Sequence, residues 1–274
     1  MPFPDIGSVA FTLGPLVIRW YALGYLFGIG LGILYGRSML RRKSLWKNSA
    51  PPFTPDQFVD FAIWAVLGAI VGGRLGYALF YSPAYFIANP LHIFQTWLGG
   101  MSFHGGMFGV LFAMYLFGRP KKANYLSSVD LLAAVAPIGI FLVRIANFVN
   151  GELYGRETTL PWGVVFPGGG DLPRHPSQLY EAALEGLVLF LAIRLVTHTF
   201  FGLRKPGLAA GVFSTGYGIS RMLVEQVRLP DAHIGYLFGT DWFTQGMVLT
   251  IPMLIVGSIL IIIGLKSTHK SANV

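Results

Sequence analysis

The chain has 274 residues, 54% of them hydrophobic and only 12% charged, where a soluble domain carries about 25% charged residues. With a mean hydropathy of +0.60, that composition excludes an ordinary soluble domain and predicts several membrane spans of roughly 20 residues each. The net charge of +8 lies in short loops beside apolar runs, a placement that fits membrane topology and anionic membrane lipid, not nucleic acid; the absence of cysteine excludes disulfides, thiolate catalysis and Cys-ligated metals.

In chain order, Met1 to Gly14 lack the basic segment of a signal peptide, so the first apolar run is expected to be a retained helix. Seven spans are predicted, over 15–36, 58–80, 100–118, 129–149, 179–198, 207–225 and 246–265. The third and sixth are Gly-rich and interrupted by polar residues. Arg37, Arg41, Arg42, Lys43 and Lys47 follow the first span, and Arg119, Lys121 and Lys122 follow the third. Arg204 and Lys205 follow the fifth, Lys266 and Lys270 the seventh, whereas Ser82 to Gly99 contain no Lys or Arg. Positive charge on alternate loops predicts an outside amino terminus and a cytoplasmic carboxyl terminus.

The expectation is an all-α, polytopic integral membrane protein with residues 1–274 in a single membrane-embedded domain. Two outside loops are long. The segment 82–99 carries Tyr85, Phe86, Phe94 and Trp97 and suits an amphipathic stretch lying in the interface. The segment 150–178, with Pro161, Pro167, Pro173, Pro176 and Gly168-Gly169-Gly170, predicts a turn-rich cap, structured or mobile.

Polar groups gather at one depth. At about 1.5 Å per residue, Arg144 lies roughly 8 Å and His104 about 6 Å inside the outer ends of their spans. Tyr21, Arg74, Glu181 and Arg221 reach the same level. A charged side chain in a span costs about 2.5–3.5 kcal/mol on insertion scales, so each calls for a reason. Arg144 shares a helical face with Asn147 and Gly151, a stripe that favours a site. Arg221 has Tyr217 and Glu225 one turn away, so a local salt bridge competes with a ligand role. Arg74, after Gly72-Gly73, reads equally as a buried structural partner. Glu181 and Glu185, four apart, read as carboxylates that satisfy such arginines. His104 stands between Gly99-Gly100 and Gly105-Gly106, and these glycines are expected to let a ligand approach closely. His175 is expected to position loop backbone, while His92, His198, His233 and His269 show no partner spacing, so neither a metal nor a cofactor is expected. Arginines converging at one leaflet predict an anionic ligand, since guanidinium grips phosphate through paired hydrogen bonds and keeps its charge when desolvated. The abundant phosphate at that depth is the lipid headgroup.

The segments Trp97-Leu-Gly-Gly-Met-Ser-Phe-His104-Gly-Gly, Arg144 through Arg156, and Pro173-Arg-His-Pro-Ser-Gln-Leu-Tyr-Glu181 resemble the bacterial prolipoprotein diacylglyceryl transferases. So do Arg19-Trp20-Tyr21, Gly72-Gly73-Arg74-Leu-Gly-Tyr77, Gly216-Tyr217-Gly218-Ile-Ser-Arg221 and Arg228-Leu-Pro-Asp231. The resemblance implies transfer of the diacylglyceryl group of phosphatidylglycerol to the lipobox cysteine of a prolipoprotein, forming a thioether and releasing glycerol phosphate. It implies a multi-pass protein of the bacterial inner membrane with its site toward the periplasm, and as partners phosphatidylglycerol and the signal peptide of the prolipoprotein. By motif, His104, Arg221 and Tyr21 match catalytic positions, and Arg144, Asn147, Glu152 and Gly155 match the phosphatidylglycerol site, with Arg74 beside them. His104 is the candidate base and Arg221 stabilises phosphate or thiolate; the motif leaves open which residue takes the thiol proton. Val143 and Ala146 stand where relatives commonly have glycine.

The rival reading is an outer-leaflet phospholipid or anion transporter. It requires polar residues through the inner half of the spans, and Leu131 to Phe141 are apolar.

Overall fold

The computed structural model describes residues 1–4, 6–229, 235–240 and 242–269. His233, Asp231 and Lys270, which enter the sequence reading, lie outside the described residues. The chain is mostly helical. The strict all-α expectation is corrected at the start of the chain, where β1 (Val9–Leu13) and β2 (Leu16–Arg19) form an antiparallel hairpin. The turn is Gly14-Pro15, and Gly14 takes φ +58°, which a side chain would resist. The first helix, α1 (Trp20–Arg41), therefore begins five residues later than the hydropathy pattern predicts. β-branched and apolar residues around a Gly-Pro turn read equally as strand or span by composition alone.

The next elements are α2 (Pro55–Phe80), the short α3 (Pro83–Ala88), α4 (Phe103–Gly118) and α5 (Tyr125–Val149). Then α6 (Ser177–Glu181), a π-helical stretch Ala182–Val188, α7 (Leu189–Arg194) and a second π-helical stretch Leu195–Thr199 run on as one continuous rod. Helices α8 (Leu208–Glu225) and α9 (Gln245–His269) complete the bundle. Helix α2 starts at a capping box in which Thr54 and Gln57 each accept from the other's backbone N–H, with Pro55 in the first turn. Ser102 caps α4 and Asn124 caps α5. Helix α8 has no cap of its own, because Gly207 precedes it. The fully buried Asp130 of α5 replaces the cap, accepting from Gly207 N at 2.7 Å and Ala210 N at 2.8 Å.

Four helices are long and apolar enough to cross a membrane: Trp20–Arg41, Pro55–Phe80, Tyr125–Val149 and the stretch Gln245–Lys266 of α9. Helix α4 is short at 16 residues, and α8 carries Ser214, Ser220, Arg221 and Glu225 among its apolar residues.

Neighbouring helices pack antiparallel through glycines. Gly24, Gly28 and Gly32 of α1 meet Ala146, Gly139 and Val135 of α5. Gly68 and Gly72 of α2 meet Gly109 and Gly105 of α4, and Gly211 and Gly218 of α8 meet Gly257 and Leu254 of α9. Small residues let backbones touch where lipid supplies no hydrophobic driving force. Helix α5 contacts α1, α4, α8 and the 177–194 rod, so it is the central post.

The alternation has a positional consequence. Met39, Leu40, Trp46, Phe53, Phe58, Phe61, Met114, Phe117, Leu131, Ile193, Leu203 and Ala209 form one buried apolar cluster. It lies where α1, α4 and α7 finish and α2, α5 and α8 begin. The opposite end collects the starts of α1, α4, α6 and α9 and the finishes of α5 and α8, and with them Tyr21, His104, Glu181, Arg144 and Arg221.

The glycine contacts differ in tolerance. A Cβ on Gly109 would stand 2.0 Å from the Gly68 carbonyl oxygen, whereas one on Gly106 would stand 3.4 Å from that of Ala69. Gly109→Ala is expected to force α2 and α4 apart and lower the thermal midpoint of the detergent-solubilised protein, with Gly106→Ala close to wild type. Equal midpoints for the two variants would remove the case for backbone contact. Asp130→Ala strands two backbone donors, and about 1.5–3 kcal/mol of stability should be lost in reversible unfolding titrations.

Candidate active site

Three arginines share one buried carboxylate. Glu181, with no exposed side-chain surface, accepts Arg221 Nη1 at 2.7 Å and Arg228 Nη1 at 2.8 Å on Oε1, and pairs with Arg144 Nη1 at 3.1 Å through Oε2. Glu185, also fully buried, takes Arg144 Nη2 at 3.2 Å. Glu225 pairs with Arg221 Nη2 at 2.9 Å and lies 3.7 Å from Arg228 Nε. The π-helical stretch after Glu181 keeps Glu181 and Glu185 together on the face toward α5 and α8.

Three guanidiniums and three carboxylates cancel in formal charge, which is how an apolar bundle accommodates them. Their exposure is unequal. The arginine side chains are 17%, 16% and 12% exposed, against 0%, 0% and 5% for the glutamates. An approaching anion therefore meets guanidinium edges first, with the carboxylates behind them. The expectation that Glu181 and Glu185 satisfy arginines is met, and so is the local pair of Arg221 with Glu225.

One turn beyond Arg144, buried Asn147 donates Nδ2 to Glu152 Oε1 at 2.7 Å, and Gln178 Nε2 donates to the Glu152 carbonyl. Tyr21 hydroxyl lies 3.4 Å from that of Tyr25, and Tyr25 is within electrostatic reach of Arg144 and Glu152. Buried Tyr217 lies within electrostatic reach of Arg144, Arg221, Glu181 and Glu185. Thr244, at the start of α9, donates to Glu225 at 2.7 Å. Sequence reasoning leaves Arg228 and Tyr25 unassigned; Tyr25 follows Tyr21 at i+4 on α1, while Arg228 lies just past the end of α8 at Glu225, where its bridge to Gly155 brings it to the cluster.

Of the two alternatives for 150–178, backbone bridges hold the cap in a defined structure. Val164 and Glu157 bridge to Arg174, and Gly155 bridges to Arg228. A Cβ on Gly155 would stand 2.4 Å from the Val227 carbonyl, so its glycine is needed for the close approach of two backbones. Arg156 donates Nε to the Arg228 carbonyl at 2.9 Å and so ties the cap to the segment after α8. His175 accepts Gly155 N on its carbonyl, in line with a backbone-positioning role, and its Nδ1 is 3.2 Å from Tyr180 hydroxyl. Burial, with Arg156 nearby, lowers the pKa of its imidazole from the ordinary histidine value and so favours the neutral form.

Two sequence candidates stand apart from the cluster. Arg74 is buried and directs all five N–H groups to backbone carbonyls: those of Ile93, Gly99, Gly100, His92 and Gln95, at 2.6 to 3.1 Å. No donor remains for a ligand, and its partner is the 92–100 loop, not a carboxylate. Of the glycines beside His104, Gly105 is occupied by Gly72 and Gly76 of α2 and Gly100 lies against the ring of Tyr77, whereas Gly99 has nothing within 4 Å. His104 sits in the first turn of α4, edge-on to Phe103, and no described residue hydrogen-bonds its imidazole. Among the described residues no group of acidic or histidine side chains could hold a metal ion.

A sequence profile of the prolipoprotein diacylglyceryl transferase family matches residues 8–263. The chain is 52% identical over 257 residues to the phosphatidylglycerol–prolipoprotein diacylglyceryl transferase of Brucella anthropi, covering 94% of this chain and 91% of the relative. Proteins of the same name from Brucella canis and Brucella ovis are 53% identical over the same length and coverage.

The Arg74 geometry generates a prediction separate from the cluster. Arg74→Lys leaves several carbonyls without a donor, so backbone hydrogen exchange and proteolysis within 92–100 should rise while exchange in α5 and α8 stays as in wild type. Protection of 92–100 unchanged in that variant would refute the loop-holding role.

Proposed function

This chain belongs to the prolipoprotein diacylglyceryl transferase family, and we propose that it moves the diacylglyceryl group of phosphatidylglycerol onto the lipobox cysteine of a prolipoprotein. A thioether forms, the carbon–oxygen bond to phosphate breaks, and glycerol phosphate leaves. The observation that carries this reading is the layered cluster, with guanidinium edges outward and carboxylates behind. It suits a phosphodiester that gains charge as it departs, because donors aimed at developing charge in a dry site lower the barrier most.

Arg144 clamps the headgroup phosphate, and Arg221 stabilises the leaving phosphate or the incoming thiolate. Asn147 and Glu152 hold the end of α5 that presents Arg144, and Gly155 fixes the cap against the segment after α8. His104 is the candidate base for the thiol, whose ordinary pKa of about 8.5 asks for only a mild one. Its imidazole has both nitrogens available. Tyr21, through Tyr25, belongs to the same polar end. Arg74 contributes by holding the 92–100 loop beside His104, without touching lipid. The sulfur comes from the peptide, which is consistent with an enzyme that has no cysteine.

In this reading residues 1–274 form one membrane-embedded catalytic domain. Four long helices, with α4, the 177–199 rod and α8, make seven spans. The basic loops after α1, α4 and the rod, and the end of α9 with Lys266, face the cytoplasm of a bacterial inner membrane. The polar end then opens at the outer leaflet, where the signal peptide presents its cysteine and phosphatidylglycerol supplies the lipid.

The test is to give the purified protein phosphatidylglycerol and a synthetic lipobox peptide and to weigh the peptide. The expected result is a diacylglyceryl mass increment that disappears when the peptide cysteine becomes serine. No increment, with phospholipid moved between vesicle leaflets instead, would overturn the transferase in favour of transport. His104→Ala is expected to retain phosphatidylglycerol binding and to lose about 100-fold or more in turnover. Arg144→Ala is expected to weaken lipid binding as well, and wild-type turnover by both variants would sink the residue roles.

A further inference from the structure

The carboxylates of the cluster are not equivalent in what they join. Glu225 reaches Arg221 and Arg228 from the same stretch of chain, four and three residues away. Glu185, among the described residues, forms an ion pair with Arg144 alone. Among the described residues only Glu181 pairs with the arginine at the end of α5 together with Arg221 of α8 and Arg228 just beyond it. It does so from a third element, α6, with no exposed surface of its own. Each of its oxygens faces a different side: Oε1 toward Arg221 and Arg228, Oε2 toward Arg144.

We propose that Glu181 is a positioning residue: it sets the separation between Arg144 and the Arg221–Arg228 pair, and turns their remaining N–H groups to the outward face where the phosphate binds and leaves. This rests on the transferase reading for its catalytic consequence, while the geometric claim stands without it.

Guanidinium is planar, and occupying Nη1 of each arginine fixes the plane in which its other donors lie. Arg221 and Arg228 each donate Nη1 to Glu181 and Arg144 Nη1 forms an ion pair with its other oxygen, so a single carboxylate orients three forks. Arg144 and Arg221 are anchored a second time, by Glu185 and Glu225, which leaves fewer orientations open to either plane. Two arginines on separate helices, each able to swing, would grip a ground-state phosphodiester adequately. A phosphate losing its carbon requires them at one spacing, and misplacement by about 1 Å is enough to cost about 100-fold.

The plain alternative is that Glu181 merely neutralises buried charge. The two ideas part on substitution. Glu181→Gln keeps the shape and removes the charge; the site then becomes more positive, so lipid binding is expected not to weaken. Glu181→Asp keeps the charge but withdraws the carboxylate by one methylene. Positioning predicts that both variants lose about tenfold or more in kcat, with KM for phosphatidylglycerol within about threefold of wild type. Neutralisation predicts that Glu181→Asp retains wild-type kcat. Glu185→Gln, at the carboxylate paired with Arg144, is expected to lose much less kcat than either.

A second readout needs no turnover. The chain has no cysteine, so single cysteines replacing the exposed Leu153 and Leu223 can carry spin labels across the α5 and α8 ends. A narrow label-to-label distance distribution in the wild type should broaden or shift in both Glu181 variants and stay narrow in Glu185→Gln. An unchanged distribution with unchanged kcat would overturn the proposal, as would Glu181→Asp behaving as wild type by both measures. If the wild type transfers nothing to the peptide, the functional reading fails, and the distance measurement still decides whether Glu181 positions the arginines.

Discussion

A single buried carboxylate governs this molecule. Arginine stays protonated wherever it is placed, so an apolar bundle that holds Arg144, Arg221 and Arg228 has to bring anions to them. Glu181 meets all three, and Glu185 and Glu225 complete the balance. Removing one partner of a buried pair typically costs about 3–5 kcal/mol, because a charge is stranded. The network therefore constrains how α5, α6 and α8 approach one another. Compensation from behind also leaves the cations usable: their carboxylates are withdrawn and their outer edges remain accessible.

Backbone packing supports that arrangement. Glycines bring α1 onto α5, α2 onto α4 and α8 onto α9 at distances that side chains would prevent. Asp130 fastens the start of α8 to α5 by supplying the cap that Gly207 lacks. Glu181 links the finishes of the same two helices. Arg144 and Arg221 thus sit on elements tied at both ends. Rigid scaffolds hold catalytic groups to tighter tolerances than loops do, and here the two proposed phosphate contacts come from helices, with the cap added over them.

Much of this was legible in the chain. Polar groups near one end of six of the seven expected spans predict a convergence, and antiparallel packing brings Arg144, Glu181 and Arg221 of that set into contact. The spacing of Glu181 and Glu185 announced partners for the arginines. Other features were not legible, for physical reasons. Arg74 reads equally as ligand-binding or structural because sequence reveals a charge in a span but not its acceptors, and those acceptors are backbone carbonyls, which every residue has. The glycines around His104 looked like space for a ligand because glycine signals close approach without naming what approaches; for Gly105 it is the backbone of α2. The β1–β2 hairpin was invisible because a short apolar run such as Leu16-Val17-Ile18 satisfies both strand and span. Glu181's reach across three elements depends on tertiary contact and has no local signature.

The two ends of the bundle bear on whether an anion passes through or reacts. At the end away from the arginines, Trp46, Phe53, Phe58, Phe61 and Phe117 are buried together with Met39 and Met114 in close aromatic and aliphatic contact. A solvated phosphate crossing that cluster would exchange its hydration for rings and thioethers, which offer it almost nothing. Asp130, buried toward the same end, is committed to the backbone of α8, and a carboxylate has the wrong sign for an anion path. An anion that enters among the guanidiniums therefore leaves by the end at which it arrived. Binding of that kind is useful to a transporter only after a rearrangement of the whole packed floor, but it is what a transferase requires: a one-sided site that holds phosphate while a second substrate takes the group attached to it.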